Sequence, residues 1–184
     1  MTSYCDISKG HPWHGPYHDQ VHGFPTTQEH VLFERLALEI NQAGLSWLTV
    51  LKKRAAFQEA FDGFIVDQVA AYDDDQRARL LSNPNIIRNR RKIDAVIANA
   101  QIIMTLRRSH ESFANWLETH HPRSKEEWVR LFRRTFHFVG GEIVNEFLMS
   151  IGYLPGAHQV ECPVYQRILA LNAPPWYGCH HMEK

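Results

Sequence analysis

Cysteine is scarce in this sequence. Cys5, Cys162 and Cys179 are the three present among 184 residues, too few and too odd a number for a disulfide framework. Charge of one sign is lacking too. Twenty lysines and arginines balance twenty aspartates and glutamates, so no global field draws the chain to a polyanion. Binding to nucleic acid therefore requires a local basic patch. No apolar run is long enough to span a membrane. The opening Met1-Thr2-Ser3-Tyr4-Cys5-Asp6 has neither the basic nor the apolar region of a signal peptide, which leaves the cytoplasm as the default location. Strand-like alternation is nearly absent, no repeat recurs, and no linker is long enough to separate two domains.

What is present is a composition 44% hydrophobic, sufficient for a substantial core, and twelve histidines. Glycine and proline punctuate residues 1 to 25, where His11, His14, His18 and His22 alternate with Trp13 and Tyr17. Aromatics that dense point to a segment folded against something. Thr26 with Glu29 fits a capping box opening a helix, with Val31, Leu32, Leu36, Glu39 and Ala43 near one face. Gly44 suits the position after that helix, and Ser46 caps the next, whose buried stripe is Trp47, Val50, Leu51, Phe57 and Phe61. Asp67 is expected to cap a short helix, and Asp74 and Asp75 to open another. A long helix follows from about Ile87 to Arg108, with Arg88, Arg90, Arg91 and Lys92 in its first turns, where cations oppose the helix dipole. Ser112 starts a short helix. Ser124 and Glu127 form a second capping box. Phe136 to Gly141 reads as a glycine-ended hairpin, Glu142 to Ile151 and Pro163 to Leu171 as helices. The fold class is all-α.

Three constellations carry candidate chemistry. Leu38 to Trp47 sets a carboxylate (Glu39), an amide (Gln42) and an indole (Trp47) around one glycine corner. A planar base could stack on Trp47 or Tyr17 and hydrogen-bond to Glu39 or Gln42. Core packing of Trp47 and an arginine partner for Glu39 are the plainer readings. Cys5, His18, His158 and Cys162 make a Cys₂His₂ set of the kind that closes a structural zinc shell, with His158 and Cys162 four residues apart, one turn if that segment is helical. Buried thiols and surface histidines are the alternative, and Cys179-His180-His181 is a competing ligand source. The hairpin ending in Gly140-Gly141 could present backbone N–H groups to a phosphate, with Arg133 and Arg134 just before it. An ordinary packing corner is the alternative there.

Together these pieces resemble the DNA-3-methyladenine glycosylase I family. The resemblance runs from Cys5 to about Cys162. It rests on Tyr17-His18-Asp19, Gln42-Ala43-Gly44-Leu45-Ser46-Trp47, Leu51-Lys52-Lys53-Arg54, Ile86-Ile87-Arg88-Asn89-Arg90 with Lys92-Ile93, Phe138-Val139-Gly140, and His158 with Cys162. It implies one glycosylase domain over 1–184, a helix-hairpin-helix over about 125–151, and a structural zinc joining 5–18 with 158–162. It also implies that Glu39 contacts a flipped base while Tyr17 and Trp47 stack on it. Gln42 lies beside them, and Gly44 and Leu45 enter the gap in the duplex. Phe138, Val139, Gly140 and Gly141 hold the phosphate backbone. The expected partner is double-stranded DNA carrying alkylated bases, bound by a monomer with no membrane association. Many helix-hairpin-helix glycosylases use an aspartate after the hairpin; here, as in the family resembled, no Asp lies between Gly140 and Cys162, which leaves Glu39 as the best catalytic carboxylate, for recognition more than as a strong general base. The chain departs from the family pattern at Ile7, where a tryptophan is usual, and at Val21-His22 in place of Glu-Trp. Trp13 is the candidate replacement aromatic.

The expected function is monofunctional excision of 3-methyladenine. A non-catalytic lesion-binding protein is the alternative, and a catalytic metal, as in a small metallohydrolase, a third reading.

Overall fold

The computed structural model describes residues 3–171 and 174–180. Among these every regular element is helical, and no helix is long and apolar enough to cross a membrane. Two short helices, α1 (Tyr4–Ser8) and α2 (His14–Gln20), precede the helix on which the body is built, α3 (Glu29–Gln42). Ten consecutive residues of α3, Leu32 to Asn41, are buried. It packs against α4 (Trp47–Ala60), a 3₁₀ turn (Asp62–Phe64), α5 (Val66–Ala70), and, further on, α7 (Arg90–His110), α8 (Phe113–His120) and α10 (Gly141–Ser150). Between these lie α6 (Asp74–Ser82) and α9 (Lys125–Thr135), and α11 (Pro163–Leu171) and α12 (Pro175–His180) complete the chain.

Local chemistry explains most boundaries. Ser46 Oγ accepts the Thr49 N–H at 3.2 Å and starts α4. Ser124 and Glu127 form the expected reciprocal box at α9. Ile93, Val96, Ile97, Ala100 and Ile103 of α7 all point into the core.

Two expected caps are not caps. Thr26 does not open α3, which begins at Glu29 with Gln28 in the cap position and no side-chain cap. Glu29 instead accepts from Arg107 Nε and the Phe113 N–H, both at 3.0 Å, tying α3 to α7 and α8. Asp67 lies inside α5, whose cap position is Ile65, and takes Arg107 Nη1 on both oxygens, at 2.8 and 2.9 Å. A charge-assisted bond to a guanidinium outweighs a local amide bond. The long helix starts at Arg90, three residues after Ile87, because Asn89 Oδ1 accepts from the Lys92 N–H and fixes the start there.

Four polar side chains are buried on α3, and three have partners. Glu34 pairs with Arg54 at 2.7 Å. Arg35 donates to the carbonyls of Phe24 and Ser150. Asn41 donates to Ala37 O. The fourth is Glu39.

Candidate active site

The corner after α3 is held from below. Gly44 has φ +78°, as expected of a residue just past a helix end. Lys92 is buried, and its ammonium donates to Asn41 O at 2.8 Å and to Ala43 O at 2.6 Å. A cation that would oppose the start of α7 is thus placed at the C-terminus of α3, where the dipole favours it. Gln42 Nε2 donates across the turn to Leu45 O at 3.2 Å. Leu45 is left exposed at the apex.

A cavity of about 670 Å³ opens beside this corner. Glu39, Gln42 and Trp47 supply one wall, Tyr4, Ile7, His14, Tyr17 and His22 of the N-terminal segment a second, and Glu142, Glu146 and Met149 of α10 a third. The Tyr17 and Trp47 rings meet edge to face with centroids 5.2 Å apart, and the Arg54 guanidinium lies 5.6 Å from the Tyr17 ring centre. The sequence therefore named four residues that the fold does bring together: Tyr17, Glu39, Gln42 and Trp47. No arginine pairs with Glu39 among the described residues; Arg54, beside Tyr17, pairs with Glu34.

The acidic groups of this cavity have no basic counterpart among its lining residues. Glu39 is 5% exposed. Burial raises its carboxyl well above the usual range, the charge of Glu146 raises it further, and no hydrogen bond offsets either effect. Burial also raises Glu146. Burial pushes His22 down to about 3, with His158 adding to the effect, and lowers His14, with His11 adding. Burial and Glu39 raise the Tyr17 phenol. The imidazoles and phenols are therefore neutral near pH 7, which leaves the carboxyls as the groups in the walls that can carry charge, and burial disfavours that charge at Glu39 and Glu146 until a cation enters.

Trp13 is 45% exposed and does not line the cavity, so it does not replace the aromatic absent at position 7. Ile7 does line it, 48% exposed. The sequence reading missed Tyr4, His14, His22, Glu142 and Glu146. A signal for some of them was present: His14, His18 and His22 recur every four residues, the last just past the end of α2, and Glu142 and Glu146 share one face of α10.

Behind the N-terminal wall, the ligand atoms of Cys5, His18, His158 and Cys162 all lie within 4.8 Å of one another. His158 Nδ1 is 3.0 Å from His18 Nε2 and 3.9 Å from both sulfurs, and Cys162 Sγ is 3.7 Å from His18 Nε2. Tetrahedral zinc with these ligands sets spacings of about 3.3–3.8 Å, and these distances lie within a few tenths of an ångström of that range, so the donor set suits the ion with small side-chain shifts. The outer nitrogens are engaged: His18 Nδ1 donates to Asp19 at 2.7 Å and His158 Nε2 to His22 O at 2.7 Å. That is the second layer of bonds that metal-ligating histidines usually have. His181 and the side chains of Cys179 and His180 lie outside the described residues.

Residues 136 to 140 link α9 to α10 without helical structure. Phe138 is exposed at φ +58°, a strained conformation for an aromatic residue. Val139 packs its side chain inward, leaving its backbone at the loop. Gly140 caps α10 with no side chain, so the first N–H groups of α10 have no side-chain acceptor. Asn99, fully buried on α7, holds the loop by accepting from the His137 N–H at 2.8 Å and donating to His137 O at 3.1 Å. Arg133 and Arg134 are exposed at the end of α9.

This all-helical packing is shared with solved structures of 3-methyladenine DNA glycosylase I. A structure of 3-methyladenine DNA glycosylase I in complex with 3-methyladenine superposes with a TM-score of 0.77 at 31% identity, over 88% of this chain and 96% of that one. The Staphylococcus aureus 3-methyladenine DNA glycosylase I gives 0.78 at 31% identity, over 89% and 96%. The methyladenine glycosylase family profile matches residues 8–128. DNA-3-methyladenine glycosylase 1 of Escherichia coli strain K12 is 34% identical over 180 residues, covering 88% of this chain and 96% of its own length. The chain belongs to the methyladenine glycosylase family.

Proposed function

We propose that the protein is a monofunctional DNA glycosylase of base excision repair, and that it flips 3-methyladenine out of alkylated double-stranded DNA and hydrolyses its N-glycosidic bond. The observation that carries this reading is the make-up of the cavity: aromatic, neutral at its imidazoles and phenols, and holding buried carboxyls with no cationic partner, whose ionised form an incoming cation would favour. Methylation at N3 makes adenine cationic, and electron-rich rings with a carboxylate favour it over the neutral base.

In this reading Tyr17 and Trp47 stack on the flipped base, and Glu39 and Gln42 meet its polar edge. Leu45, carried on the Gly44 turn, fills the gap it leaves in the duplex. Extrusion costs a few kcal/mol, least where pairing is already damaged. Residues 125–151 act as the helix-hairpin-helix, with Phe138, Val139, Gly140 and Gly141 holding a phosphate at the uncapped start of α10. A cationic purine leaves as a neutral molecule and needs no protonation. No lysine lines the cavity among the described residues, so no amine is placed for lyase chemistry.

Cys5, His18, His158 and Cys162 would hold a structural zinc, which supplies cross-linking and no reaction step. Residues 1–184 work as one domain, monomeric and cytoplasmic. Purified protein incubated with methylated duplex should release free 3-methyladenine, detected by chromatography. Salt-dependent duplex binding with no base released would instead establish the lesion-binding alternative.

A further inference from the structure

The cavity holds more carboxylate than recognition of a base requires. Glu39 lies at its buried end. Glu146 is half-buried on the α10 wall, and Glu142, one turn nearer the start of α10, is exposed and 3.6 Å from Lys125. One helical turn advances 5.4 Å, so the three carboxylates are graded in depth from the hairpin inward. A flipped nucleotide enters base first and leaves its backbone at the rim. With the base at Glu39 and the phosphates at the hairpin, the deoxyribose lies level with Glu146.

We infer that Glu146 acts on the sugar: it stabilises the cation that forms there and accepts the proton of the water that adds to it. The inference rests on the glycosylase reading above. The bond between C1′ and the purine nitrogen breaks with its electron pair passing to the base, which leaves neutral. Positive charge moves to C1′ and O4′ of the sugar. Water adds through its oxygen to C1′, and its proton passes to the Glu146 carboxylate and from there to solvent. The positive charge thus migrates outward, from the level of Glu39 toward that of Glu146. A carboxylate whose interaction grows along that path lowers the barrier; one that holds the base equally well before and during the reaction does not. Burial raises the Glu146 carboxyl, which strengthens it as a proton acceptor once the incoming cation has favoured its ionised form.

Wild type, Glu146→Gln and Glu39→Gln are compared in three measurements: single-turnover excision from methylated duplex, duplex affinity by anisotropy, and affinity for free 3-methyladenine by NMR titration. Glu146→Gln should slow excision about tenfold or more, while both affinities stay within about twofold of wild type. Glu39→Gln should weaken binding of the free base. Excision by Glu146→Gln within about twofold of wild type overturns the inference. So does a loss of free-base affinity matching that of Glu39→Gln, which would make Glu146 a reader of the base. Thermal melting checks folding, and Glu146→Ala carries the same test if the glutamine variant is unstable. A wild-type protein that releases no base refutes the glycosylase reading itself, a result distinct from an active wild type with an equally active Glu146→Gln.

Discussion

Lys92 donates its ammonium to the carbonyl of Ala43 across 49 residues of chain, at 2.6 Å, and so fixes the corner from which Leu45 projects. A buried hydrogen bond to a charged group contributes roughly 1.5–3 kcal/mol. Lys92→Met should therefore lower the melting temperature by about 3–12 °C, at 2–4 °C per kcal/mol for a chain of this size. Excision should fall alongside it, because the free α3 carbonyls let the corner relax.

Glu39 destabilises the fold it serves. Its folded-state pKa is raised, so the native state binds more protons than the unfolded chain above about pH 4.5, and stability falls as pH rises toward the raised value. Glu39→Gln removes that penalty. Its melting temperature should match wild type near pH 4, rise above it by several degrees as pH increases, and hold a constant lead once wild-type Glu39 is fully ionised. Melting curves across pH 4–9 check this.

Metal analysis should find about one zinc per chain. Chelation or Cys162→Ser should lower the melting temperature and abolish cooperative unfolding of the N-terminal segment, the signature of a structural ion. An exchangeable metal needed only for turnover would contradict it. Gly23→Ala should imitate the loss, because its φ is +82° and a Cβ there would lie 3.1 Å from His158 Cδ2.

Asn99→Ala should separate duplex binding from base binding. It removes both bonds that hold His137, at a cost of about 2 kcal/mol, and leaves the cavity walls untouched. Duplex affinity should fall about tenfold, equivalent to 1.4 kcal/mol, while affinity for free 3-methyladenine is unchanged.

Features set by near neighbours were legible in the sequence. Ser46 and Gly44, and Ser124 with Glu127, act on backbone within a few residues, and their roles follow from spacing. Glu39 stood out because it interrupts an apolar run. Glu29 and Asp67 were misread because their partner, Arg107, is 78 and 40 residues away. Spacing along the chain reveals a local cap but not the stronger bond to a remote guanidinium. Tyr4, His14, His22 and Glu146 escaped for the same reason. Each lies on a wall whose opposite side comes from a distant part of the chain. Lys92 was read as a cost to its own helix, whereas the fold uses it to stabilise another.

Cys5 and His158 meet across 153 residues. The N-terminal segment that contributes Tyr4, Ile7, His14, Tyr17 and His22 to the cavity is thus fastened by residues near the other end of the chain. During synthesis at 5–20 residues per second, that segment waits about 8–30 s for its anchor to leave the ribosome. The last piece of the cavity to settle is therefore the first to be made, and a nascent chain can complete most of its helical body before it can hold a base.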